Sequence, residues 1–124
     1  MSDCGVCIGG GDYDGTPEFS HISTPKARKD HKCLECRRAI RRGSQYERTS
    51  GKFDGNIYSD AVCLECAEIR DAFYCGEGAY IVGDLWEQMG ECFPALTTGC
   101  FDRLTTPAAK AFLRDRWLKW KGLA

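Results

Sequence analysis

Cysteine carries most of the chemistry in this chain. Cys33-Leu34-Glu35-Cys36 and Cys63-Leu64-Glu65-Cys66 are two C-x-x-C pairs on the same C-L-E-C tetrapeptide, with 26 residues between Cys36 and Cys63. A C-x-x-C turn presents two thiolates at the bite a tetrahedral metal requires, and two pairs supply the four soft ligands that close a structural zinc site. Cys33, Cys36, Cys63 and Cys66 are therefore expected to hold one Zn2+. Cys4-Gly5-Val6-Cys7 is a third pair, and Cys75, Cys92 and Cys100 stand singly. Cys4 and Cys7 are half of a candidate second metal site, completed from among His21, His31, Cys75, Cys92 and Cys100. The competing reading makes the lone cysteines small buried hydrophobes. A thioredoxin-like redox pair would need a βαβ setting, and no such alternation is present.

Compartment follows from the same arithmetic. Nine cysteines leave one thiol over from a full disulfide set. The opening residues show no basic-then-apolar leader pattern. A reducing, cytoplasmic setting with metal-bound cysteines is the expectation. No run approaches the roughly 18 apolar residues of a membrane span, so no membrane partner is expected. The 124 residues, 43% of them apolar, fit one small domain whose core gains from a metal.

The elements that must position these sulfurs can be read in outline. Residues 1–25 look like a Gly-rich acidic arm. After Cys36, Gly43 marks a turn, Gln45–Ser50 reads as a strand, residues 51–55 as a turn cluster and Asn56–Val62 as a returning strand. The stretch from Cys63 reads as a helix, with Cys66, Ile69 and Phe73 on one face and Gly76 as its stop. Residues 80–82 are a short apolar run. Asp84 with Glu87 reads as the start of a helix from Leu85 to about Phe93, ended by Pro94. The stretch 95–105 is ambiguous, anchored by Leu96, Phe101 and Leu104. Thr106 with Pro107 caps a last helix carrying Ala109, Phe112, Leu113, Trp117 and Trp120 on one arc. The division is an arm (1–25), a zinc-binding core (26–76) and a helical lobe packed on that core (77–124).

A knuckle pair, a β-hairpin, then a second pair at a helix start resembles the treble-clef zinc finger over roughly residues 31–76, and its first half resembles one module of a LIM domain. The resemblance implies an α+β fold in which the first and last pairs share one zinc. The first knuckle departs from the pattern, with Arg37 where a Gly often follows. The whole chain also looks like small proteins of tailed bacteriophages and prophages, through HKCLECRR with its following Ile, Gly and Tyr, through CLECAEIRDAF, and through LWE before a tryptophan-bearing helix. That likeness implies a host-cytoplasm setting and an accessory role.

Charge is segregated behind a net −1. Residues 1–25 carry only acids, 26–52 are net +7, 53–102 net −9 and 103–124 net +5. The basic cluster Lys26, Arg28, Lys29, Lys32, Arg37, Arg38, Arg41 and Arg42 could neutralise phosphates. Equally, a Zn(Cys)4 centre of formal charge about −2 needs cations and N–H donors around it. Asp12-Tyr13-Asp14-Gly15 lacks the later ligands of a calcium loop, and Gly9-Gly10-Gly11 lacks a phosphate-loop continuation. Enzyme readings fare poorly. Four cysteines leave no open metal position for water, and a nuclease of the HNH type or a hydrolase triad lacks its histidines, because His21 and His31 both precede the first knuckle. The expected function is a non-enzymatic zinc-binding protein, a phage-type accessory or inhibitor factor acting by binding a protein partner. The alternative is a nucleic-acid-binding zinc finger that uses Arg37, Arg38, Arg41 and Arg42.

Overall fold

A computed structural model describes residues 4–8, 19–53, 55–74 and 83–122 of the chain. The fold is mixed α and β. β1 (Phe19–Ser23), β4 (Tyr46–Phe53) and β5 (Asn56–Cys63) form an antiparallel sheet in the order β1-β4-β5. β2 (His31–Lys32) and β3 (Ala39–Ile40) form a two-stranded ribbon. Three α-helices follow, α1 (Leu64–Phe73), α2 (Leu85–Cys92) and α3 (Pro107–Lys121), with 3-10 turns at Phe93–Ala95 and Thr98–Arg103 between the last two.

The ribbon β2–β3 exists to close the first knuckle. Between its strands the Cys33 N–H donates to the Arg38 carbonyl (2.9 Å) and the Arg37 N–H to the Cys33 carbonyl (2.9 Å). Such a tight reversal needs one left-handed residue, and Arg37 supplies it with φ 66°. The residue that departs from the glycine pattern therefore adopts the glycine conformation, at a cost of about 1–2 kcal/mol for an L side chain. The hairpin β4–β5 is longer than the sequence suggests. Residues 51–53, expected in the turn, stay in the strand, because Gly51 pairs with Tyr58 and Lys52 with Ile57. Gly55, with φ 80°, makes the reversal.

Part of the expected arm belongs to this framework. β1 pairs along β4 from Phe19↔Lys52 to Ser23↔Arg48, and the Ile8 N–H donates to the Phe73 carbonyl at the end of α1 (3.0 Å). Val6 and Ile8 are buried. The partners lie far off in the chain, from Arg48 for Ser23 to Tyr74 for Ile8, so no local pattern marks the pairing. The turn sequences at residues 9–15, the apolar run 80–82 and the helix stop at Gly76 lie outside the described residues.

α1 buries Cys66, Ala67, Ile69 and Phe73 and packs on α3. Phe73, Ile69, Leu85, Met89, Leu104 and Leu113 are all essentially inaccessible, each contributing about 1.5–3 kcal/mol by leaving water. α3 begins as expected, the Thr106 hydroxyl accepting from the Ala109 N–H (3.2 Å) with Pro107 next. Its start is also tied to α1, where the Glu68 carboxylate accepts from the Thr105 N–H (2.7 Å), the Thr106 N–H (3.1 Å) and the Thr106 hydroxyl (2.7 Å). Of the expected apolar arc, Ala109 and Leu113 are fully buried while Trp120 is 50% exposed. The helix outruns the core at its last turn.

Candidate metal centre

The four sulfurs of Cys33, Cys36, Cys63 and Cys66 lie within 4.8 Å of one another and all four residues are buried. Cys36 Sγ and Cys63 Sγ are 3.8 Å apart. A tetrahedron with zinc–sulfur bonds of about 2.3 Å has edges of about 3.8 Å, so the spacing fits a four-sulfur metal centre. The knuckle places the first pair. The end of β5 and the first turn of α1 place the second, with Cys63 as the N-cap residue, where a thiolate meets the positive end of the helix dipole. The metal-ligand reading of these four residues is thus realised in space as one site.

Donors surround the sulfurs. Cys33 Sγ accepts the backbone N–H groups of Cys36 (3.5 Å) and Cys63 (3.3 Å). Arg38 donates Nε–H to Cys36 Sγ (3.4 Å) and Nη2–H to Cys63 Sγ (3.6 Å). The Trp86 indole N–H donates to Cys66 Sγ at 3.3 Å. Sulfur accepts well only as thiolate, so this ring of N–H groups suits a deprotonated, metal-bound set. The sulfurs also shape one another's acidity. Cys36 is pushed strongly down by hydrogen bonds from Cys33, Cys63 and Cys66. Cys33 falls to about 6, its bond with Cys36 working upward while those with Cys63 and Cys66 win. Cys63 and Cys66 are pushed up by the same shared protons.

The cluster is wired to both later helices. The Arg38 guanidinium lies 3.8 Å from the centroid of the Phe112 ring on α3 and 3.8 Å from a Glu65 oxygen. Trp86 on α2 packs on Phe112 at 5.2 Å, and Arg116 lies 4.2 Å over Trp86. Glu35, inside the first knuckle, is buried and accepts from the N–H groups of Gly83 (2.7 Å) and Leu85 (3.1 Å). Sequence reasoning gave Asp84 the cap of α2, yet Asp84 makes no side-chain cap bond. A carboxylate 50 residues upstream satisfies those donors instead, which no local pattern could announce. The second buried acid, Glu47, meets Arg70 of α1 through two bonds, one of 2.8 Å.

The other sequence-marked residues go elsewhere. Cys4 is disulfide-bonded to Cys100 across 96 residues, and Cys7 is also a disulfide cysteine. A sulfur bonded to sulfur has no thiolate to give, so the candidate second metal at Cys4 and Cys7 is not formed in this state. Cys92 keeps its thiol, pushed up chiefly by burial. Cys75 lies outside the described residues. His31 is no ligand of the cluster; its ring stacks on Tyr46 at 4.9 Å. Arg37, Arg38, Arg41 and Arg42 are all exposed; Arg38 also turns its guanidinium to the sulfurs, and the Arg42 backbone N–H donates to Asp30 (2.8 Å). Three other members of the basic cluster, Lys26, Arg28 and Lys29, join His31, Arg48 and the acidic Asp60 around a depression of about 710 Å3 beside Tyr46. Arg48 joins it only because β4 folds back on the segment before β2.

No family model matches the chain, and no characterised protein or solved structure matches it significantly. Among the described residues no helix is long and apolar enough to cross a membrane.

Proposed function

We propose that this is a non-enzymatic zinc-binding protein of treble-clef type that works by binding another protein. The observation that carries the proposal is the closed set of four buried sulfurs, each with protein N–H donors. Such a set suits zinc, the commonest metal of closed four-cysteine structural sites, and leaves no coordination position for water or substrate. Zinc there would supply cross-linking between knuckle, hairpin and α1, and Cys33, Cys36, Cys63 and Cys66 would hold it. The partner surface is read from an apolar groove of about 640 Å3 between the second 3-10 turn and α3, lined by Phe101, Pro107, Ala111, Trp117 and Leu118. An accessory or inhibitor role, in a phage-infected host or elsewhere, fits a small binding protein of this kind.

The test has two arms. Metal analysis of the purified protein should give zinc at the cluster, and strong chelation or Cys63→Ser should unfold it by circular dichroism. Retained zinc stoichiometry and fold in Cys63→Ser would refute the centre. A second reading, nucleic-acid binding, is favoured by the cationic depression around Arg48. Fluorescence anisotropy with labelled single- and double-stranded DNA separates the two: micromolar binding with a steep salt slope, lost in Arg48→Glu, selects nucleic acid, and no binding at low salt selects the protein partner.

A further inference from the structure

We infer that the depression beside Tyr46 is a binding site for phosphate groups, with Arg48 as its fixed arm and Lys26, Arg28 and Lys29 as its wall. Phosphate contact there is independent of the protein-partner reading and narrows the nucleic-acid reading to one chemistry. The depression shares no residue with the metal cluster.

Pairing between distant segments builds the site. Residues 25–27 lie along the start of β4, where the Tyr46 N–H donates to the Pro25 carbonyl (3.1 Å) and the Ala27 N–H to the Ser44 carbonyl (2.8 Å). Lys26 is bridged antiparallel to Gln45. Buried Tyr46 makes the floor, and the His31 ring lies against it at 4.9 Å. Tyr46 pairs with Cys63, so the floor belongs to the framework that holds the four sulfurs. At about 710 Å3 the depression falls in the size range of small-ligand sites, about 300–1,000 Å3.

Two features select an anion. The first is charge left uncompensated. Among the described residues, none of Lys26, Arg28, Lys29 and Arg48 is in an ion pair, although the chain has 18 acidic residues against 17 basic ones. Four like charges around one depression repel one another, and an anion relieves that repulsion. The acids at hand are engaged or turned away. Asp30 accepts the Arg42 N–H (2.8 Å). Asp60, at the edge of the depression, shares its row with Thr49 and Ile22, the face of the sheet opposite to Arg48 and Ser59. Its carboxyl is pushed up by burial alone, whereas a cation in contact would hold it down. The second feature is a held arginine. Arg48 donates Nε–H to Ser59 Oγ (3.1 Å), which sets the guanidinium plane and leaves its two terminal nitrogens without a protein partner. A fork presented in this way matches two oxygens of one phosphate. Four cations exceed what a single carboxylate neutralises, and linked phosphates bring about one negative charge each into the same space.

The probes are inorganic pyrophosphate, octathymidylate and an octaglutamate peptide. Each is titrated calorimetrically into zinc-loaded full-length protein at low and at physiological salt, with zinc retention checked in the same samples. Pyrophosphate or octathymidylate should bind, more weakly as salt rises. Arg48→Ala should weaken that binding about tenfold, and Arg48→Lys, which keeps the charge and loses the fork, should recover only part of the loss. Lys119→Ala removes one positive charge on α3, outside the depression, and should change affinity by less than about twofold. Arg48 and Lys119 are both exposed, so both variants should melt with the parent. Pyrophosphate binding alone assigns the site to free phosphates and leaves the protein-partner reading standing. Octathymidylate alone assigns it to phosphates on a strand, and where both bind, the tighter names the source. No binding of either at low salt, octaglutamate binding as tightly as octathymidylate, or equal losses in Arg48→Ala and Lys119→Ala would each overturn the inference, without touching the zinc centre or the apolar groove.

Discussion

Replacing Arg38 by glutamine should weaken zinc binding about tenfold without unfolding the protein. Arg38 makes two charge-assisted hydrogen bonds to the sulfurs of Cys36 and Cys63, at 3.4 and 3.6 Å. Enclosed bonds of this kind contribute about 1.5–3 kcal/mol each. The Arg38 side chain is 49% exposed, and water screens such a group heavily, which removes half or more of that sum. About 1.4 kcal/mol remains, and that is a factor of ten in an equilibrium constant. The same size is typical when a hydrogen-bond partner of a metal ligand is lost. The assay is competition for zinc against a chromophoric chelator at fixed pH. Phe112→Leu is the control, since it removes the ring 3.8 Å from the guanidinium and leaves both N–H···S bonds; its effect should stay below about fivefold, because an exposed cation–π contact contributes only about 0.5–1 kcal/mol. An affinity within twofold of the unmutated protein for Arg38→Gln would refute the claim that this arginine neutralises the centre.

Arg70→Met should destabilise the fold by about 3 kcal/mol in urea, because it strands the buried Glu47 carboxylate; restoring most of that loss by Glu47→Leu in the same chain would confirm the cause. Partial burial works the other way, but hydrogen bonds from Thr106 and Thr105 hold the Glu68 carboxyl below the usual carboxylate range. Its stabilisation is then complete above the unfolded pKa of about 4.3 and fades as pH falls through the lower folded value. The stability difference between the unmutated protein and Glu68→Gln should shrink over that window, and a difference independent of pH would disprove it. Arg37→Gly should be at least as stable as the parent in thermal melts, and Arg37→Val less stable by about 1–2 kcal/mol, since φ is 66° there; the reverse order would show that the arginine side chain, not its backbone, matters.

What was legible in the sequence was local. Cys33, Cys36, Cys63 and Cys66 announce themselves by short spacing, and the Thr106–Pro107 start of α3 rests on a bond spanning three residues. The hidden parts all depend on distant partners. Glu35 caps α2 from 50 residues away, Ile8 joins the end of α1 through a backbone bond to Phe73, and Arg48 enters the cationic depression only once β4 is folded. Nothing in the local sequence marks Glu47 for burial; Arg70, 23 residues on, is what pairs with it. The disulfide of Cys4 and Cys100 ran against the expectation of reduced thiols, which had rested on the opening residues showing no leader pattern and on an odd cysteine count. Such a count does not prevent some of the cysteines from pairing.

The bond between Cys4 and Cys100 makes the polypeptide a ring with a tail. It closes a loop of 96 residues, and on a chain-entropy view a loop of that size lowers the freedom of the unfolded state by an amount equivalent to about 4.7 kcal/mol. α3 alone among the helices lies beyond the closure, held to the ring by side chains such as Glu68 and Arg38. That helix carries no cysteine, so packing on α1 and the bonds from Glu68, not a covalent closure, hold it in place.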